Sequence, residues 1–152
     1  MNIKNIKQQF EGTFASDAPL APYTYFQIGG SADLLATPKN LKDLQLLHQW
    51  VQESETPFFI LGWGSNLLVS DQGFRGLVIR MKQLFTEITE LPDGVLRVGA
   101  SVGGSSLLRK AQQCGYGGLS FLTGIPGSVG GMAAMNAGTY LGEWKDCALR
   151  VE

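Results

Sequence analysis

The sequence predicts an α+β protein, and three observations predict it. A stretch with helical spacing, 41–53, lies between two short apolar runs of strand length, ADLLA at 32–36 and PFFILGW at 57–63. Further on, FTEITEL and VLRVGAS flank Pro92-Asp93-Gly94, a hairpin with proper turn chemistry. Glycine is the third signal: 12 of the 20 glycines lie between Gly99 and Gly142. That density implies backbone that must turn sharply or approach something closely.

In chain order, Ile3, Ile6 and Phe10 give a weak amphipathic hint, and the loop-like GTFASDAPLAP follows. TYFQIGGSADLLATP is broken at Gly29 and Gly30 and resumes as a short strand that ends at Pro38. Asn40 is a good N-cap for LKDLQLLHQWVQE, and Asp43 falls in the first turn, where the helix dipole favours acid. Leu41, Leu44, Leu47, Trp50 and Val51 make one apolar face. The continuous apolar run PFFILGW then suggests a βαβ unit with a buried parallel pair. A turn at Asp71-Gln72-Gly73 leads to the strand LVIRM. Ser105 or Ser106 is expected to cap the helix LLRKAQQC, with Gly115 ending it. The segment from Gly115 to Glu143 has no periodic assignment, and WKDCALRVE reads as the start of a strand.

Composition bounds the function. A length of 152 residues suits one ordinary domain, with an extension at 1–19 and the domain proper at 20–152. A formal charge of -1 gives no nucleic-acid footprint. No apolar run approaches the roughly 18 residues that span a bilayer, so no membrane association is expected and a cytoplasmic location is. Cys114 and Cys147 make no disulfide framework, and the single His48 lacks a metal or nucleophile pattern, so no metal is expected. His48 reads as a boundary residue of its helix, and both cysteines as small buried hydrophobes. Arg75 reads as a solvated turn residue, and Asp33 and Asp71 as caps or turn formers.

Two segments can carry chemistry. Leu61-Gly62-Trp63-Gly64-Ser65-Asn66-Leu67 follows a strand directly, and such a turn exposes successive N–H groups to an anion. It fits a pyrophosphate but neither the dinucleotide fingerprint nor the Walker A pattern. Taken alone, it reads equally as a tight turn between strands. Trp63 is expected in the core. The second segment runs from Gly124-Ile125-Pro126-Gly127-Ser128-Val129-Gly130-Gly131 into Met132-Ala133-Ala134-Met135-Asn136-Ala137-Gly138. Its small residues let a flat ring or phosphate approach the main chain, with Ser128 and Asn136 as donors, and they equally suit a tightly packed turn and short helix. Together the segments suggest a dinucleotide gripped from two sides.

TYFQIGGSADLLATP, LGWGSNLLVSDQGFRGLVIRM, LRVGAS and GLSFLTGIPGSVGGMAAMNAGTYLGEWKD resemble, in order and spacing, the flavin-binding region of the UDP-N-acetylenolpyruvoylglucosamine reductases, the MurB family. The resemblance covers about residues 20 to 152. It implies a two-subdomain FAD-binding fold of the PCMH/vanillyl-alcohol-oxidase type. It also implies NADPH as reductant and an enolpyruvyl UDP-sugar as the small-molecule substrate, reduced to UDP-N-acetylmuramate for peptidoglycan. By motif position, Gly62, Gly64, Ser65, Asn66 and Leu67 line the FAD pyrophosphate and ribityl chain. Gly124, Ile125, Pro126, Gly127, Ser128, Gly130, Gly131, Asn136, Ala137 and Gly138 contact the rest of the cofactor. Related flavoproteins tether flavin through a histidine near the first segment; none stands there, so binding is expected to be non-covalent.

Three departures from the family pattern stand out. Gln27 occupies a position where the family often has a basic residue. NAGAYG appears as NAGTYLGE, with Thr139 for alanine and Leu141 inserted, and this bears on Tyr140, which could otherwise approach flavin or substrate. The family's later arginine, serine and glutamate match nothing before Glu152, so no catalytic residue is assigned. A missing C-terminal half is the partner this implies. The alternative is a non-catalytic FAD or nucleotide module that needs a second polypeptide.

Overall fold

The structure, a computed structural model, describes Ile6, residues 8–82 and residues 84–152. The chain divides into two compact units, Met1–Leu84 and Phe85–Glu152. Strands and helices are mixed in both, as the α+β expectation has it.

The first unit is built on a four-stranded sheet of order β1-β2-β4-β3. β1 is Thr13–Pro19, β2 Ser31–Thr37, β3 Phe58–Leu61 and β4 Phe74–Arg80. β1 runs antiparallel to β2, from Thr13↔Thr37 to Pro19↔Ser31, whereas β2 and β3 both run parallel to β4. Thr13–Pro19 therefore corrects the loop reading of that segment. Past Thr13 and Phe14 its Ala, Ser, Asp and Pro have little intrinsic strand signal, and pairing with β2 supplies what propensity does not.

Helix α1, Leu41–Ser54, crosses from β2 to β3. The Asn40 side chain caps it by accepting the Asp43 N–H at 2.9 Å. Leu47, Trp50 and Val51 are buried from its apolar face and pack with Ile6, Ala36, Leu77 and Ile79. His48, expected at the boundary of that face, is instead exposed. The opposite face of the sheet buries Ala18, Leu20, Ala32, Leu35, Leu61 and Val78. Strand alternation explains the split, since Leu77 and Ile79 point one way and Val78 the other. Of the N-terminal amphipathic hint, Ile6 is fully buried and Phe10 lies against Phe14 at 4.4 Å between ring centroids. Ile3 lies outside the described residues.

The expected βαβ unit is present, but its two strands are not neighbours, because β4 enters between them. β3 is consequently an edge strand, and Phe58, Phe59 and Ile60 are exposed instead of buried. Asp43 does more than face the helix dipole. Its carboxylate is buried and accepts the N–H groups of Glu11, Gly12 and Lys39, each at 2.9 Å. One side chain thus ties the chain entering β1 to the chain leaving β2.

The second unit starts with the hairpin β5, Ile88–Leu91, and β6, Val95–Val98. Asp93 and Gly94 take φ of 61° and 74° at its turn. Helix α2 is Gly104–Gln113. Gly103 occupies its N-cap, so neither Ser105 nor Ser106 caps it; both are exposed inside the first turn. Gly115 ends it as expected: Gly115 N–H reaches Gln112 O at 3.1 Å and Tyr116 N–H reaches Ala111 O at 2.9 Å. Glu90 on β5 accepts from the Tyr116 hydroxyl at 2.8 Å, with Cys114 Sγ and Lys110 Nζ also in range. Those donors, Tyr116 foremost, hold its carboxyl below the ordinary range.

The core of this unit gathers Val102, Leu107, Phe121, Leu122, Val129 and Met132. Cys114 and Cys147 are half-buried and unpaired, and burial pushes the Cys147 thiol up. The segment read as the start of a strand is instead a 3-10 turn at Trp144–Asp146, closed by reciprocal bonds between Glu143 and Asp146. No described helix is long and apolar enough to cross a membrane.

Candidate functional site

In the first unit, β3 runs straight into the segment 62–67. Gly64 takes φ of 65°, a left-handed conformation that costs glycine least. A Cβ there would lie 2.0 Å from the Tyr23 carbonyl oxygen, so Gly64 is pinned against the Ala21–Tyr23 turn. Tyr25 N–H donates to Gly64 O at 3.0 Å and closes the contact from the other side. The N–H groups of Trp63, Gly64 and Asn66 donate to no main-chain carbonyl among the described residues, whereas Leu67 closes the turn over Ser65 and Asn66. A glycine-rich turn with several such donors suits a phosphate oxygen.

Trp63 corrects the expectation of a core residue: it is 54% exposed, on the turn itself. Gly62, Ser65 and Leu67 are half-buried, Gly64 is buried and Asn66 is exposed. The adjoining turn also exposes Tyr25, Phe26 and Ile28, with Gln27 at φ 55°. Arg75 is not simply solvated. It pairs with Asp33 at 2.8 Å and also donates to the carbonyls of Gln72 and Ser31. Asp33 is therefore a strand residue in an ion pair, neither cap nor turn former, whereas Asp71 does sit in a turn.

In the second unit, helix α3, Val129–Ala134, starts at Ser128, whose side chain accepts the Gly131 N–H at 3.3 Å. Ser128 is buried and works as a cap. Val129 N–H and Gly130 N–H are engaged by Val102 O and Ala100 O, both at 2.8 Å. Gly130 is needed for that approach, since a Cβ would meet the Ala100 Cβ at 2.9 Å. This segment offers flat, side-chain-poor backbone more than a cluster of donors. Gly124 shows it best: φ is 83° and nothing lies within 4 Å of where its Cβ would be. Pro126, Gly131 and Gly138 are exposed beside it, Ile125 and Ala137 half-buried, and Gly127 buried.

Asn136 is the left-handed residue that ends α3, at φ 44°. Ala137 N–H reaches back to Met132 O at 2.8 Å, as at the end of α2. Its side chain donates to Glu143 at 2.8 Å and accepts the Lys145 N–H at 2.9 Å. Glu143 is held below the ordinary carboxyl range, first by Lys145 and then by Asn136. Asn136→Ala is expected to cost about 2 kcal/mol, from a left-handed alanine and two lost bonds, and Asn136→Gly about half that. Urea unfolding of the two variants checks the order. Tyr140 is 96% exposed.

The FAD binding domain family matches residues 32–152. This chain belongs to that family. FAD, the cofactor the sequence suggested, is the one the family is described by, and both glycine-rich segments lie inside the matched region. The chain is also 46% identical over 148 residues to a UDP-N-acetylenolpyruvoylglucosamine reductase of Anaeromyxobacter dehalogenans (strain 2CP-1 / ATCC BAA-258), covering 97% of this chain and 44% of that protein. A reductase of the same name from Pelobacter propionicus is 40% identical, covering 92% of this chain and 46% of the relative. A crystal structure of UDP-N-acetylenolpyruvylglucosamine reductase (MurB) from Thermus caldophilus is similar at a TM-score of 0.66 and 36% identity. That likeness covers 88% of this chain and 45% of the other. The resemblance to reductases of this name is thus found both in sequence and in fold, and this FAD-binding chain spans less than half the length of those relatives.

Arg80 and Tyr23 were not singled out by sequence. The Arg80 guanidinium lies over the Tyr23 ring, 4.3 Å from its centre. The one available signal was a lone charge at the end of the apolar run LVI.

Proposed function

We propose that this chain is the FAD-binding part of a UDP-N-acetylenolpyruvoylglucosamine reductase. In this reading the reaction served is NADPH-dependent reduction of the enolpyruvyl ether of a UDP-sugar to a lactyl ether. The observation that carries the cofactor half of the proposal is the 62–67 turn, where a left-handed glycine leaves neighbouring N–H groups unengaged by backbone. Bound there, FAD supplies a carrier for hydride. The chain's own residues bind and orient it, without a covalent link.

Gly62, Gly64, Ser65, Asn66 and Leu67 are the proposed contacts for the pyrophosphate and ribityl chain. Gly124, Ile125, Pro126, Gly127, Ser128, Gly130, Gly131, Asn136, Ala137 and Gly138 are proposed for the remainder. All lie within 20–152, the proposed FAD-binding domain. Ser128 and Asn136 serve there chiefly through the backbone shape they fix, given the bonds their side chains already make. Reduction of the enolpyruvyl double bond also needs a placed proton donor, which is assigned to no residue of this chain.

Visible absorption after adding FAD and desalting tests the reading. Retained flavin bands, bleached by NADPH without oxygen, are expected. A demonstrably folded chain that emerges colourless would overturn it.

A further inference from the structure

We infer that Arg80 supplies the positive charge that faces the cofactor pyrophosphate beside the 62–67 turn, an inference that rests on the FAD reading above. Arg80 is the last residue of β4, and its partner in the parallel ladder is Leu61, immediately before Gly62. The Met81 N–H to Leu61 O bond, 2.9 Å long, fixes that register at the strand end. On its other side the guanidinium is stacked on Tyr23, whose main chain is the surface that Gly64 abuts. Two elements that both border the turn therefore hold the cation.

Its charge is not otherwise answered. Arg80 is half-buried and has no ion pair among the described residues, whereas Arg75, the other arginine of this unit, has Asp33. A half-buried guanidinium without a carboxylate has lost hydration, and a tyrosine face offsets only part of that loss. The ring covers a face of the guanidinium, and the N–H edges are the part that recognises two phosphate oxygens at once. The unengaged amides of the turn provide neutral donors, and Arg80 adds the formal charge they lack.

The test is flavin fluorescence titration of the chain and of its Arg80→Met and Arg80→Lys variants, at low and moderate salt. Arg80→Met is expected to weaken FAD binding about ten- to a hundredfold and to flatten its salt dependence. Adenosine diphosphate, which carries the pyrophosphate without the flavin, should lose affinity in the same proportion by competition. Riboflavin, which has no phosphate, should bind the variant as it binds the parent. Arg80→Lys should keep part of the FAD affinity, because it keeps the charge and loses the fork. Unchanged FAD affinity and salt slope in Arg80→Met would overturn the inference, as would an equal loss for riboflavin. A parent chain that binds neither FAD nor inorganic pyrophosphate would overturn the cofactor reading itself, and this inference with it.

Discussion

Gly64→Ala is expected to abolish FAD retention and to destabilise the first unit by about 3 kcal/mol. Two costs combine. The backbone is left-handed there, at φ 65°, and the new methyl would sit 2.0 Å from Tyr23 O, 3.0 Å from Tyr23 C and 3.1 Å from Thr24 Cα. All three are main-chain atoms, so no side chain can swing aside. The turn must move away from Ala21–Tyr23, and its N–H groups lose their common direction. Gly115→Ala is the matched control, because φ is similarly positive at 72°, the space around it is open and it is no proposed cofactor contact. It should cost only about 1 kcal/mol, from backbone conformation alone. Urea unfolding of both variants, alongside flavin retention, separates the two costs; equal losses would show that crowding at Gly64 is not what matters.

The second large effect concerns Asp43→Ala, expected to destabilise the chain by about 4 kcal/mol. Three main-chain N–H groups, those of Glu11, Gly12 and Lys39, lose the carboxylate that accepts them, in a place from which water is largely excluded. Asp43→Asn keeps one acceptor oxygen but turns an amide NH2 toward donors, so it should recover less than half of the loss. Hydrogen exchange at Glu11 and Gly12 should accelerate before exchange in β4 does, since the clamp holds the segment entering β1. A change within 0.5 kcal/mol for Asp43→Ala would mean that those donors find other acceptors.

What was legible in the sequence was mostly local. Asn40 three residues before Asp43, and the spacing of Leu47, Trp50 and Val51, define α1 with little help from the rest of the chain. Pro92-Asp93-Gly94 and Gly115 act through their own φ angles, and both were read correctly. β1 was not legible, because Thr13–Pro19 becomes a strand only through its pairing with β2. The burial of PFFIL was misread for a related reason. Hydropathy marks a strand without saying what neighbours it, and the position of β4 decides that β3 is an edge.

The candidate site divides in the same way. Gly64 announces a tight turn by its identity, but its pressure on Tyr23 is a long-range fact. Trp63 carries no local sign of which side of the turn it occupies. Asn136 looked like a ligand donor because its residue type is polar. Only the positions of Glu143 and Lys145 show both ends of its amide engaged. Asp33 and Arg75, 42 positions apart, looked like separate turn residues until parallel pairing of β2 with β4 brought them together.

The edge strand β3 also governs how the chain behaves in the test tube. Phe58, Phe59 and Ile60 present an uncharged row with no lysine and no bulge, so a strand from another molecule meets neither repulsion nor a steric stop. Refolding is then a race between closing the sheet and adding a foreign strand, and the second process quickens with concentration while the first does not. Yield, turbidity and the apparent sharpness of a melt become functions of how much protein is in the cuvette. Dilution is accordingly as real a variable for this molecule as denaturant or temperature.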